Sequence, residues 1–285
     1  MSYRFHKNEP VPLALRRILL EELDGARVEL VVAAADAEAL HEVRKRIKRM
    51  RALMRLGRDG LEPIRAEGIV LRDIGRMLAA HREADALVEI LRHEAASAGS
   101  ADLRLLEETV RLHQAARAPL RERQADLVRA RRLMGGVRRR IASSEIGEIG
   151  RKECLRRLRR AYRHAREQWW ITFSQPTDEH LHEWRKRTKI VLNQLRLIRP
   201  WAGPGFPRVR TCLTEIDARL GQARDFAHLA GILRGVPVAE VPLRYGFGLR
   251  ARLDHEVDDH LSRAFAIGRR FFRGGPRAFQ DRVVA

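Results

Sequence analysis

One eight-residue phrase occurs twice in this chain. His41-Glu42-Val43-Arg44-Lys45-Arg46-Ile47-Lys48 returns as His182-Glu183-Trp184-Arg185-Lys186-Arg187-Thr188-Lys189, and Leu40 and Leu181 precede the two copies. The match continues downstream. Leu71-Arg72-Asp73-Ile74, Leu78 and Arg82-Glu83 align with Leu213-Thr214-Glu215-Ile216, Leu220 and Arg224-Asp225, and Ile90-Leu91 aligns with Ile232-Leu233. The offset is 141 at the histidines and 142 beyond them, so the second copy has gained one loop residue. Collinear, diverged copies of this length mean a duplicated unit, and the duplication constrains the fold more than any local propensity does.

The unit is helical. Around the first phrase, Leu40, Val43, Ile47, Met50 and Met54 follow the three-four rhythm of one helix face. The same rhythm predicts helices at about 11–32, 37–57, 62–97 and 101–133, then 146–172, 178–199, 207–235 and 242–272. Gly57 to Gly60, Ser97 to Ser100, Gly135-Gly136, Ser174 to Pro176, Pro200 to Pro207 and Gly235 to Pro237 read as breaks. Pro63 and Pro207 suit a first helical turn, and Asp178 and Ser100 suit caps. No segment alternates with period two, so no sheet is expected. The predicted fold is all-α: two four-helix bundles from an internal duplication, related by a pseudo-twofold axis around a basic central groove. The bundles are expected at residues 10–134 and 138–273, with 274–285 as a loose tail.

Composition narrows the partner. The 285 residues include 57 Lys+Arg against 37 Asp+Glu, for a net charge of +20. A field of that size gathers anions and speeds their association. Two cysteines, Cys154 and Cys212, make no disulfide framework and are expected to be reduced and packed in the core. There is no signal-peptide pattern, and the longest apolar stretch, Leu30 to Ala35, is far too short to span a bilayer. The expectation is a cytoplasmic protein without a membrane partner.

The positive charge is not spread at random. Only six of the basic residues are lysines, and Lys45, Lys48, Lys186 and Lys189 hold equivalent positions in the two phrases. A compact ammonium and a planar guanidinium hold anions differently, and the sequence places both together twice. On a helix, His41, Arg44, Lys45, Lys48, Arg51 and Arg55 form one stripe opposite the apolar face. Only Glu42 is acidic between residues 41 and 58, so the ridge is read as lacking local counter-ions. The second copy supplies His182, Arg185, Lys186, Lys189 and Arg196, but Leu192 stands where the first has Arg51. Lys152, Arg156, Arg159 and Arg163 extend the basic surface, and the scattered arginines from Arg121 to Arg140 read as a solvated face. The two histidines have two readings, polar core residues or donors to an anion. Nothing points to a metal: HExxH is absent, and His180-x-His182 has no echo at Ala39. A Gly-rich phosphate loop is absent too. Glu83 and Asp225, each beside an arginine, read as salt-bridge partners rather than acid-base catalysts. No cofactor and no catalytic residue are expected.

These residues resemble a known family. His-x-x-Arg-Lys-x-x-Lys, followed by a Leu-x-x-x-Arg-Asp element such as Leu220 to Asp225, all of it duplicated, is similar to the CHAD domain, the conserved histidine α-helical domain. The likeness spans about residues 10 to 275. Two departures from the pattern stand out: Arg82-Glu83 replaces Arg-Asp in the first copy, and Ile190 and Leu192 replace basic residues in the second. The resemblance implies two four-helix bundles around a basic channel that binds inorganic polyphosphate, with association at polyphosphate granules, in a stand-alone module without the triphosphate-hydrolysing domain often fused to such proteins. It makes the fifteen histidine, arginine and lysine residues of the three stripes above, from His41 to Arg196, the candidate polyphosphate-binding set. The residues alone say "helical, duplicated, polyanion-binding"; other polyanions stay open as partners. Nucleic acid is the alternative ligand, without a helix-turn-helix, zinc-finger or RNP signature to support it. A phosphohydrolase lacks a visible metal cluster or nucleophile.

Overall fold

A computed structural model describes residues 3–79, 81, 88–91, 106–107, 109–111, 120–235 and 247–284. The helices are α1 (Val11–Val32), α2 (Ala37–Leu56), α3 (Glu67–Met77), α4 (Leu120–Ser143), α5 (Arg151–Ser174), α6 (Asp178–Leu197), α7 (Phe206–Gly235), α8 (Phe247–Phe271) and α9 (Pro276–Val283). Single 3-10 turns lie at Glu62–Ile64 and Arg199–Trp201. Among the described residues there is no strand, only one isolated bridge between Ala202 and Val284. The fold is all-α.

The helix carrying each phrase is held by one apolar stripe. Leu40, Val43, Ile47, Met50 and Leu53 of α2 are buried, as are Trp184, Val191 and Leu195 of α6; α2 packs on α1 and α6 on α5, while Trp184 stacks on Phe265 of α8. α2 and α6 then meet each other in the middle of the molecule. There the buried Gln194 donates its Nε2 proton to the carbonyl of Ala52 at 3.3 Å, one hydrogen bond across the two copies. The main apolar core runs without interruption from Leu15 and Ile47 to Leu158 and Ile216. A second cluster likewise joins Leu91 and Leu106 of the first copy to Leu229, Leu233 and Leu253 of the second. The two copies are therefore bonded into one body, with the ridges of α2 and α6 brought side by side.

Several elements differ from the sequence reading. Gly135-Gly136 does not break α4, which runs on to Ser143, across the residues expected to separate the copies. Leu127, Ala130, Met134, Val137 and Ile141 bury one continuous stripe through that point. That stripe outweighs the roughly 1 kcal/mol that each glycine costs in a helix interior. The third helix does not start at 62; a 3-10 turn precedes α3. α5 starts at Arg151 rather than 146, with Glu153 accepting from the backbone N–H of Gly150 at 3.1 Å. The cap of α6 is Thr177, whose side chain accepts from the N–H of His180, and Asp178 sits in the first turn instead. Ser100 and Glu83 lie outside the described residues. Cys154 is buried and Cys212 partly so, both free.

The largest correction concerns the tail. Residues from 274 on are not loose: α9 packs on α5, with Phe279 and Val283 fully buried. Phe279 stacks on Tyr162 at a centroid distance of 4.0 Å, and the Tyr162 hydroxyl donates to the carbonyl of Gly274 at 2.9 Å. The chain then pairs with the loop before α7, Gly203 N–H donating to Val283 O at 2.9 Å. A Cβ at Gly205 would stand 2.5 Å from the Arg282 carbonyl, so only glycine fits that approach.

Candidate anion-binding groove

The helices sort their cations by side. On the α1 side of α2, Arg46 and Arg49 reach the buried Glu22 at 3.4 and 3.7 Å, and Arg46 also lies 3.9 Å from Glu29. Those arginines fix α2 on α1. On the opposite side, α2, α3, α6 and α7 enclose an open cavity of about 430 Å³. Arg44, Lys48, Arg51 and Arg55 come into it from α2, His182, Arg185, Lys186 and Lys189 from α6. Eight of the residues expected from the sequence thus converge from both copies on one groove. Arg72 and Arg76 of α3 and Arg224 of α7 join them and were not among the expected site residues. The signal for Arg224 was present, since it belongs to the Leu-x-x-x-Arg-Asp element. Arg72 and Arg76 had none, because the second copy has Thr214 and Ala218 there.

The remaining candidates lie elsewhere. His41 and Lys45 do not line the groove, and Lys45 is paired with Glu42 one turn earlier. Arg196 is the repeat equivalent of Arg55 but lies on the side of Tyr3, with Asn193 3.4 Å away. On α5, Arg156 reaches Asp59 at 3.2 Å and Arg163 lies 4.0 Å from Glu167, while Lys152 and Arg159 line no described cavity. The face of α5 that meets α2 and α6 carries Arg157, Arg160 and His164 instead, around a second cavity of about 260 Å³ with Arg55, Arg58 and Arg187. The difference between the two stripes is about a quarter-turn of helix. Arg55 lines both cavities, so the basic surface is continuous from the groove onto α5.

The groove is less naked than the sequence implies. Lys186 Nζ is 2.7 Å from Glu183 of the same helix, and Arg187 is 2.8 Å from it. Lys189 Nζ is 2.8 Å from Asp217 of α7, which also faces Arg185 at 3.6 Å. The sequence hid Asp217 because it is 28 residues from Lys189, on another helix. In the first copy, Arg44 Nη1 donates to the carbonyl of Gly75 at 3.0 Å, and Gly75 is the repeat equivalent of Asp217.

Cations dominate what the first-copy side chains feel. Lys48 stands open to water within the groove yet walled by protein. Desolvation, then Arg44, Lys189 and Arg185, push its ammonium pKa down to about 8, and Asp217 opposes them. Burial and then Arg72 and Arg76 disfavour the charge on Arg51; burial, Arg51 and Arg187 do the same at Arg55. The His182 pKa is lowered by partial burial and by Arg224, Lys186 and Arg185. Like charges held together in this way raise the free energy of the empty groove. An entering anion lowers it. Among the described residues no Phe, Tyr or Trp side chain lines the groove. Among the described residues no three His, Cys, Asp or Glu side chains are placed to hold a metal ion, and no helix is long and apolar enough to cross a membrane.

Comparison with known proteins identifies the fold and the family. The profile of the CHAD domain family matches residues 17–234. The crystal structure of the CHAD domain from the plant Ricinus communis superposes with a TM-score of 0.60 at 16% identity, covering 96% of this chain and 95% of that one. PptA from Streptomyces chartreusis superposes with a TM-score of 0.64 at 16% identity, covering 92% of this chain and 100% of that one. At such identity the two structures establish a shared fold. No curated protein matches the chain.

Proposed function

The chain belongs to the CHAD domain family, and from that premise we propose that it binds inorganic polyphosphate in the α2–α6 groove, without turning it over, and associates with polyphosphate granules. The observation that carries the reading is Lys48. Its ammonium is surrounded by Arg44 of its own helix and by Lys189 and Arg185 of the other copy, a cluster that a chain of phosphates neutralises from end to end. A phosphate chain has charge on every unit, no bases and a flexible backbone. A cationic groove without stacking platforms suits it better than it suits single-stranded nucleic acid, whose sites add aromatic side chains to the positive track.

Competition decides between the two polyanions. Long-chain polyphosphate is expected to displace labelled duplex DNA at physiological salt, with an affinity that falls steeply as salt rises. DNA binding equal to or tighter than polyphosphate binding sinks the proposal. Incubation with polyphosphate and a divalent metal is expected to release no phosphate. Release that disappears in a Lys48→Ala variant would refute the non-enzymatic reading.

A further inference from the structure

The two ends of the groove are unequal, and one of them already holds an anion of the protein's own. Asp217 accepts from Lys189 at 2.8 Å and faces Arg185 Nε at 3.6 Å, in a partly buried position. Arg185 Nε and Asp217 Oδ1 are both shielded from water without a hydrogen-bond partner, so this second contact is incompletely closed. The first copy has Gly75 at the equivalent place, and its carbonyl accepts from Arg44. It also has Arg51, Arg72 and Arg76 where the second has Leu192, Thr214 and Ala218. Asp73 accompanies Arg72 and Arg76 at 2.9 and 3.8 Å, but that trio is solvent-exposed, where such pairs hold weakly.

We propose that Asp217 closes the second-copy end of the groove to free short anions and yields it only to a polyphosphate already anchored on the first-copy arginines. The inference rests on the polyphosphate reading and adds a chain-length requirement to it. A free short anion must compete with a carboxylate that is permanently present at high local concentration. A long chain fixed at the first end presents its next phosphates at comparable effective concentration, so it can displace Asp217 where a free ion cannot. The displaced carboxylate releases Lys189 and Arg185 together, and both then contact the ligand.

The test uses Asp217→Asn, which keeps the side-chain shape, and Asp217→Gly, which installs the first-copy residue. Glu215→Gln is the control: it removes the same charge two residues away on α7, from a residue that faces Arg219 at 3.9 Å instead of the groove cations Lys189 and Arg185. Pyrophosphate and long-chain polyphosphate are titrated calorimetrically against each full-length variant, with circular dichroism as the check on folding. The wild-type protein is expected to bind one pyrophosphate, and both Asp217 variants two. Their Kd for long-chain polyphosphate is expected to fall about tenfold, because the chain no longer has to displace a carboxylate from Lys189 and Arg185. Unchanged stoichiometry and affinity in both variants overturn the inference while leaving the polyphosphate reading standing. So does a wild-type protein that already binds two pyrophosphates equally, or a Glu215→Gln variant that matches Asp217→Asn. A wild-type protein that binds no polyphosphate overturns both.

Discussion

Lys48 is where the two copies meet electrically. It and Lys189 are equivalents in the repeat, yet among the described residues only Lys189 has a carboxylate within hydrogen-bond distance, Asp217 at 2.8 Å. Lys48 instead faces cations from both helices, and its pKa lies near 8. Two consequences follow, with the sign fixed by linkage. The folded protein has lost this proton between about pH 8 and the ordinary lysine range near 10.5, where the unfolded chain still carries it. The site's contribution to stability therefore rises with pH through that window, and the full repulsion is present below it. Polyanion binding favours the charged form, so binding at pH 8 is expected to take up a proton and to weaken as pH rises further. Calorimetry in buffers of different ionisation enthalpy measures that uptake. Lys48→Arg, charged throughout, is expected to abolish the uptake at this site and keep binding. Undiminished proton uptake in that variant would remove Lys48 from the groove's titration.

At the scale of the helix, a quarter-turn decides which arginines matter. Arg157 and Arg160 face the second cavity with Arg55, while Lys152 and Arg159 do not. Replacing Arg157 and Arg160 with alanine is expected to weaken long-chain polyphosphate binding. The same change at Lys152 and Arg159 is expected to cost far less, although net charge falls equally. Equal losses would mean that the general field, not the track, sets affinity. α9 carries a structural prediction. Phe279 is fully buried and stacked on Tyr162, so Phe279→Ala is expected to destabilise the fold by about 3–5 kcal/mol in urea unfolding. A loss below about 1 kcal/mol would show that the end of the chain is not part of the cooperative unit.

For the molecule as a whole, the groove exists only because α2 and α6 lie side by side. Replacing Arg44, Lys48 and Arg51 with alanine, or Arg185, Lys186 and Lys189, is expected to weaken binding in either case, by about 1–3 kcal/mol for each contact removed. The first set is expected to cost more, because Asp217 and Glu183 already neutralise much of the second. The helices are expected to persist in circular dichroism, since alanine is the best helix former. A triple variant that stays folded with wild-type affinity would divide the groove into independent sites.

The sequence by itself determined the helical class, the repeated phrase, the basic ridge and, through the spacing of its motifs, the family. These are local or periodic properties: apolar residues at three-four spacing must bury one face, and charge at fixed offsets must share another. It also exposed the inequality of the copies, through Leu192 in place of Arg51. Only the tertiary structure decided which cations share a groove. Arg72 and Arg76 enter it because α3 packs beside α2, and Asp217 reaches Lys189 because α7 packs beside α6. Contacts between helices depend on crossing and rotation, and a quarter-turn on α5 was enough to exchange Lys152, Arg156, Arg159 and Arg163 for Arg157, Arg160 and His164. The docked end of the chain belongs to the same class. An eight-residue helix is too short to persist alone, and Phe279 and Val283 order it only by reaching a surface that α5 and the loop before α7 have already built.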